Sequence, residues 1–177
     1  MSSTVGQRER RTQEKVVRYF RDQLGYRYLG NRQDRRGNIN LERELLAQWF
    51  ERQHTSEQLV PKVLRALERA ATIDGAQSLY DANRQFYGLL RYGVKVKPSV
   101  DEHAVTVPLV DWERPERNDF AIAEEVTVAG AHTKRPDLVL YLNGIAVGVI
   151  ELKRSIVSVT EGIRQNIGNQ EASFIRP

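Results

Sequence analysis

The sequence contains no cysteine and a single methionine among its 177 residues. Without cysteine the chain can form neither a disulfide framework nor a thiolate metal site, and it has no thiol nucleophile. Long hydrophobic runs are also lacking, because the two longest, near 138–142 and 145–150, are far shorter than a membrane span. The polar N-terminus lacks the apolar core of a signal peptide. These absences predict a cytoplasmic protein without a membrane partner.

Charge is unevenly distributed along the chain, whose formal net charge is +4. Residues 1–71 hold 15 basic and 9 acidic side chains, whereas residues 72–177 hold 12 and 14. A basic half beside a mildly acidic half is compatible with a polyanionic partner such as nucleic acid, and equally with a solvated helical surface. The early arginines that could meet phosphates are Arg8, Arg10, Arg11, Arg32, Arg35 and Arg36.

Hydrophobic periodicity predicts a helical first part and a sheet in the second. Residues 1–12 are polar and predicted to form a flexible arm, and residues 26–38 are predicted to form a loop. Helical spacing recurs over residues 13–91, with helices near 16–24, 40–50, 56–70 and 76–90. Alternating apolar residues then predict strands near 94–100, 105–110, 120–128, 137–142 and 145–153, and a capping box at 158–161 precedes a last helix. This order predicts one α/β or α+β domain with a largely antiparallel sheet.

The last two predicted strands carry an unusual set of charges. They are joined at Asn143-Gly144, a dipeptide that strongly indicates a β-hairpin. Asp137 heads the first strand, and Glu151 and Lys153 close the second. Because side chains alternate along a strand, Glu151 and Lys153 share one face, where burial is costly unless the groups are paired or bind a metal.

The length of the hairpin loop decides whether the two carboxylates can meet. A regular two-residue loop would place Asp137 and Glu151 on opposite faces of the hairpin. A three-residue loop with Gly144 in the left-handed region, or a compensating bulge, would place them on one face. We predict the second arrangement. Two carboxylates on one face would suit Mg²⁺, which can polarise a phosphodiester, and the lysine could orient the attacking water. The alternative is a surface hairpin in which Glu151 pairs with Lys153 or Arg154.

At these residues the sequence resembles the PD-(D/E)xK nucleases, and more closely the N-terminal nuclease region of the restriction subunit of type I restriction–modification enzymes. The resemblance runs from about Thr12 to the last residue. It rests on the stretches at 90–97, 118–128, 135–144, 149–153 and 161–165, with Asn169-Gln170.

The resemblance implies a restriction-endonuclease-like α/β fold, with a mixed central sheet flanked by helices and a helical region before it. Residues 92–177 would form the nuclease core within one structural domain. Asp137 and Glu151 would hold Mg²⁺ (or Mn²⁺), with the main-chain carbonyl of Leu152 as a further ligand. Lys153 would be the catalytic lysine.

Two further family positions are not uniquely assigned in this chain. Many relatives carry Gln-x-x-x-Tyr on the helix after the lysine, which fits Gln165 best, although Asn169 stands where the tyrosine would be. Gln170 with Phe174 offers a second frame. Some relatives also use a glutamate on an early helix, for which Glu14 and Glu44 are both candidates.

The resemblance also implies a larger enzyme. The whole subunit would carry an ATP-driven motor, and would work with modification and specificity subunits on double-stranded DNA, S-adenosylmethionine serving the larger complex. This chain has no phosphate-binding Gly-x-x-x-x-Gly-Lys-Ser/Thr loop, and we interpret it as an N-terminal fragment. The expected function is Mg²⁺-dependent endonucleolytic cleavage. The alternative is a non-catalytic module of the same fold that binds DNA or docks a subunit. Trp49 and Trp112 are predicted to be core or interface residues.

Overall fold

The computed structural model describes residues 4–35, 40–71, 78–127, 135–152, 163, 164 and 167. Its α-helices in these ranges are α1 (Thr4–Arg18), α2 (Arg43–Arg52), α3 (Val60–Ala71) and α4 (Leu79–Tyr92), with a π-helical segment at Tyr19–Gln23 and a 3-10 turn at Pro115–Arg117. Its strands are β1 (Arg27–Asn31), β2 (Val94–Val96), β3 (Val105–Val107), β4 (Phe120–Glu124), β5 (Leu138–Leu142) and β6 (Ile145–Ile150). Within the described ranges, no helix combines the length and apolarity that crossing a membrane requires. The architecture is mixed α/β, which confirms the predicted fold class.

The chain divides into two compact units, and each draws on distant parts of the sequence. The first contains the described parts of 1–38, 120–141 and 146–174. The second contains the described parts of 39–119 and 142–145. The units therefore do not follow the linear segments predicted from hydrophobic periodicity.

The first unit is built on a four-stranded sheet with the order β1-β4-β5-β6. β1 runs parallel to β4, with Arg27 opposite Ala121 and Tyr28 opposite Ile122. Because β5 and β6 form a hairpin, the sheet is mixed, as the resemblance implied. Helix α1 packs on this sheet through Val17, which shares a buried cluster with Ile122 and Leu138.

The second unit is held together by apolar faces of α2, α3 and α4 and by the β2–β3 pair. Helix α2 buries Leu45, Leu46, Trp49 and Phe50, a spacing that lines one helical face. Trp49 is completely buried, and its indole N–H donates to the carbonyl of Pro108 at 3.1 Å. Trp49 is therefore a core residue, as predicted. β2 and β3 are antiparallel, with Val94 opposite Val107.

Several boundaries differ from the predicted ones. Helix α1 already begins at Thr4, within the segment predicted to be a flexible arm. β1 lies within residues 26–38, predicted to be a loop, because its hydrogen bonds come from β4, some ninety residues away, and local sequence carries no sign of that partner. Helix α2 is preceded by Glu42 as its N-cap rather than by Asn40. The predicted capping box at 158–161 lies outside the described residues.

Candidate active site

The hairpin turn between β5 and β6 is a tight two-residue turn. Asn143 and Gly144 have φ angles of 51° and 84°, the left-handed pair that a type I′ turn requires. A Cβ at Gly144 would lie 2.6 Å from the carbonyl oxygen of Glu42 and 2.7 Å from the amide nitrogen of Leu46. Glycine is therefore needed here both for its backbone conformation and for the space it leaves.

The side chain of Asn143 is fully buried and stabilises the turn through hydrogen bonds. Its Oδ1 accepts the amide N–H of Asp119 at 2.7 Å, and its Nδ2 donates to the carbonyl of Leu109 and to Oδ1 of Asn118, both at 2.8 Å. The amide of Asn143 also donates to the carbonyl of Asp119 at 2.8 Å. The strong hairpin signal in the sequence thus reflects a turn whose asparagine is also a core hydrogen-bonding group.

Beyond the turn, the register of the hairpin shifts by one residue. A regular two-residue hairpin would pair Leu140 with Val147 and turn Gly148 to the other face. Instead, a Cβ built at Gly148 lies 3.8 Å from Cβ of Leu140, so the two positions face each other on one side of the sheet. Ile150 packs, like Leu140, against the cluster between α1 and the sheet, whereas Val147 is half exposed. The predicted three-residue loop is therefore not formed. The shift in register has the same effect as the compensating bulge, which was the other predicted way to bring both carboxylates to one face.

The shifted register brings Asp137 beside the end of β6. Its Oδ2 accepts the main-chain N–H of Leu152 at 2.6 Å. The main-chain carbonyl of Asp137 accepts the N–H of Glu125 at 3.0 Å, so the residue is tied to the ends of both neighbouring strands. Glu151 directly precedes Leu152, and both Asp137 and Glu151 are half-buried. The register places these two carboxylates on the same face of the sheet.

A second polar group lies at the end of β4, formed by adjacent glutamates and a buried glutamine. Gln13 of α1 is 7% exposed, and its Nε2 donates to Glu124 at 2.7 Å and to Glu125 at 3.3 Å. Arg135 lies 2.9 Å from the other oxygen of Glu125. The hydroxyl of Tyr28 donates to Glu124, and burial together with this carboxylate raises the pKa of Tyr28 to about 12. Glu125 is therefore held by its side chain while its amide binds Asp137.

This group was missed by the sequence reasoning, although the sequence carries a signal for it. Gln13, Val17 and Phe20 recur at helical spacing, and Val17 of α1 and Phe20 of the π-helical segment after it both pack on the sheet. The position on α1 that faces inward is therefore Gln13 and not the neighbouring Glu14. A polar residue in such an apolar stripe requires a buried partner, which the adjacent glutamates of β4 provide.

The other predicted site residues divide into exposed residues and residues outside the described ranges. Glu14 is exposed and lies 3.6 Å from Arg10 one helical turn earlier. Glu44 is exposed in the first turn of α2. Lys153 and Gln165 lie outside the described residues, as does the alternative Gln170.

The chemistry of Asp137 and Glu151 fits a hard divalent cation. Two carboxylates, a main-chain carbonyl such as that of Leu152 and water molecules are a donor set that Mg²⁺ accepts. Oδ2 of Asp137 is fixed by its hydrogen bond, and Oδ1 makes no hydrogen bond within the described residues, which leaves it available to a cation. Among these residues, no three His, Asp or Glu side chains converge in a way that could hold a metal ion. The described side chains therefore contribute two carboxylates to the donor set.

Comparison with known proteins gives two findings. The family model described as type I restriction enzyme R protein N terminus matches residues 6–175. A protein named as a type I restriction enzyme endonuclease subunit of Methanocaldococcus jannaschii is 34% identical over 74 residues. That alignment covers 38% of this chain and 7% of the relative, so the chain corresponds to a small part of the relative's length.

Proposed function

Because the chain belongs to the family of type I restriction enzyme R protein N-terminal domains, we propose that it cleaves phosphodiester bonds of double-stranded DNA in a Mg²⁺-dependent reaction. The observation that carries this proposal is the hydrogen bond from the Leu152 amide to Asp137. It ties the carboxylate of Asp137 to the residue that follows Glu151. The family supports a role in restriction, and the two carboxylates provide the chemistry for it.

The proposed chemistry assigns a distinct role to each residue. Asp137 and Glu151 hold Mg²⁺, and the carbonyl of Leu152 completes the protein's share of the donor set. When bound, the ion polarises the phosphodiester and lowers the pKa of a water molecule. Lys153 follows Leu152 in the chain and supplies a positive charge for the transition state. Gln165 is proposed to position the substrate.

The contacts of Asp137 support this proposal. Oδ2 of Asp137 accepts the Leu152 amide, and the main-chain carbonyl of Asp137 accepts the Glu125 amide. The first bond fixes the carboxylate and the second fixes its backbone, so the side chain is already positioned before a cation binds. Gln13 and Arg135 fix the side chain of Glu125 from two sides. Such supporting contacts keep metal ligands within the narrow range of positions that catalysis tolerates.

We further propose that the chain acts within a larger restriction enzyme. In this proposal the ATP-driven motor lies elsewhere in the same subunit, and the modification and specificity subunits select the DNA. ATP and S-adenosylmethionine then serve other parts of the assembly.

The proposal is tested with Asp137→Asn and Glu151→Gln, which remove charge and preserve shape. In the complete subunit, assembled with its partners and ATP, each change is expected to lower plasmid cleavage by about 100-fold or more. Loss of a metal ligand should lower activity at least as much as loss of a residue that only supports a ligand. Asp22→Asn is the matched control, since Asp22 is an exposed acid of the same unit paired with Arg21 at 2.6 Å. It is expected to cleave normally.

A second readout separates catalysis from assembly. Titration of the isolated chain with Mn²⁺ by calorimetry is expected to show binding that both site variants lose and the control keeps. Unchanged cleavage in Asp137→Asn and Glu151→Gln would refute the proposal and favour a non-catalytic module that binds DNA or docks a subunit.

A further inference from the structure

One face of α4 carries tyrosine and arginine in alternation. Tyr80, Arg84, Tyr87 and Arg91 follow each other at intervals of four, three and four residues, which places all four on one stripe of the helix. Tyr80 and Tyr87 are 72% and 61% exposed, and both arginines are exposed. The opposite side of α4 packs on the core of the second unit through Phe86, Leu89 and Leu90. Core packing therefore holds the stripe outward.

The stripe ends at a preformed aromatic platform. The indole N–H of Trp112 donates to the carbonyl of Leu90 at 3.2 Å, using one of the acceptors that the end of a helix leaves unpaired. The Trp112 ring is 49% exposed, and the guanidinium of Arg91 lies 5.2 Å from its centroid. A cation over an exposed ring presents positive charge and an aromatic surface at the same place.

The charges around the stripe favour an anionic partner. Residues 78–97 contain four basic side chains and one acidic side chain. The acid, Asp81, is engaged in the N-terminal cap of α4 with Ser78. Near the platform, Asp111 is paired with Arg114 at 3.5 Å. Among the described residues Arg84 makes no hydrogen bond or ion pair, so its charge is directed to solvent.

We propose that this tyrosine–arginine stripe binds a single strand of DNA. Alternating rings and guanidinium groups match the alternation of bases and phosphates along a strand, and rings can stack only on bases whose faces are not buried in a duplex. The stripe is about 16 Å long, since eleven steps of about 1.5 Å along the helix separate Tyr80 from Arg91. This binding site is separate from the proposed cleavage site. Only the choice of DNA rather than RNA as the ligand rests on the proposed function.

The test uses two double variants and one matched control. Tyr80→Ala/Tyr87→Ala removes the rings, Arg84→Ala/Arg91→Ala removes the cations, and Arg65→Ala removes an exposed arginine on α3 whose Nε donates to its own helix at Pro61. Binding of a labelled single-stranded oligonucleotide is measured by fluorescence anisotropy with EDTA present. Circular dichroism and thermal unfolding confirm that each variant is folded.

The tyrosine variant is expected to bind about tenfold more weakly or worse, with an unchanged salt dependence. The arginine variant is expected to reduce the slope of log K against log salt by about 1.4, since each phosphate contact on a single strand contributes about 0.7. The control is expected to match the wild type. A duplex of the same sequence is expected to respond less to loss of the rings.

Three results would overturn the inference. The first is single-strand binding by both double variants that equals the wild type, and the second is an effect of ring removal on duplex binding alone. The third is unchanged DNA binding with an altered mass in light scattering, which would identify the face as a protein interface. Because binding is measured without metal, normal cleavage by Asp137→Asn would refute the proposed function and leave this result intact.

Discussion

Replacement of Asn143 by alanine tests whether the hairpin turn is held by buried polar contacts. The variant removes the acceptor of the Asp119 amide and the donor to the Leu109 carbonyl, at 2.7 and 2.8 Å in a fully buried position. Leaving each of two buried groups without its partner costs about 1–3 kcal/mol. Alanine at a φ of 51° adds about 1 kcal/mol of backbone strain.

Asn143→Ala is therefore expected to destabilise the second unit by about 3–7 kcal/mol, a large part of the stability of an ordinary domain. Urea unfolding followed by tryptophan fluorescence is a suitable assay, because Trp49 and Trp112 both lie in this unit. Asn143→Gly loses the same side-chain bonds and avoids the strain, so it should be milder by about 1 kcal/mol.

A loss below about 1 kcal/mol for Asn143→Ala would refute this reasoning, since a single unpaired buried group should already cost that much. It would mean that water or a rearranged backbone satisfies the two groups. Equal losses for the alanine and glycine variants would show that the left-handed conformation contributes nothing.

The remaining predictions concern the turn glycine, the buried glutamine and the shifted tyrosine. Gly144→Ala should destabilise far more than Gly25→Ala in urea unfolding, because both glycines have positive φ but only at Gly144 would the new Cβ meet main-chain atoms, at 2.6 and 2.7 Å. Gln13→Leu should cost about 1–3 kcal/mol in thermal unfolding by removing the donor to the two glutamates, while Gln23→Leu, at an exposed position, should cost little. Because the pKa of Tyr28 is raised to about 12 in the folded chain, any stability linked to its neutral hydroxyl persists below the ordinary tyrosine pKa and is lost as pH rises through 12. Spectrophotometric titration should show that Tyr28→Phe removes one tyrosine from those that ionise late, and an unchanged late phase would contradict the assignment.

The elements predicted best are those whose conformation is determined by their own residues rather than by distant partners. The apolar spacing of α2 defines one buried face, and Asn143-Gly144 supplies the two left-handed residues that the turn needs. The candidate carboxylates Asp137 and Glu151 could be named because each stands at the end of a clearly apolar strand. Their positions on one face could not be derived from the sequence. They depend on a one-residue shift of the strand pairing, which places Leu140 opposite Gly148 and which no local residue specifies.

The elements predicted least well depend on partners far away in the chain. β1 is a strand because β4 lies beside it, and its own sequence, with glycine and charges, has weak strand character. The early-helix residue was sought among glutamates, whereas the structure turns Gln13 inward and leaves Glu14 on the surface. On α1 an amide, Gln13, takes the inward position, and it binds the two acids Glu124 and Glu125 at the end of β4.

The charge split of the sequence illustrates how folding changes the meaning of linear composition. Division at residue 71 makes the basic first part the better candidate for contacts with DNA or other subunits, and places the candidate metal ligands in the acidic second part. The first unit, however, joins α1 from the basic part with the acidic strand ends at Glu124, Glu125 and Asp137. An exposed pattern of alternating arginines and aromatic rings lies on α4, in the part with more acids than bases. Salt screens exposed charges beyond about 8–10 Å, so the arrangement of charges on one helical face matters more for nucleic-acid binding than the sum over a segment. Neutralising Arg84 and Arg91 should therefore affect single-strand binding more than neutralising two of the early arginines.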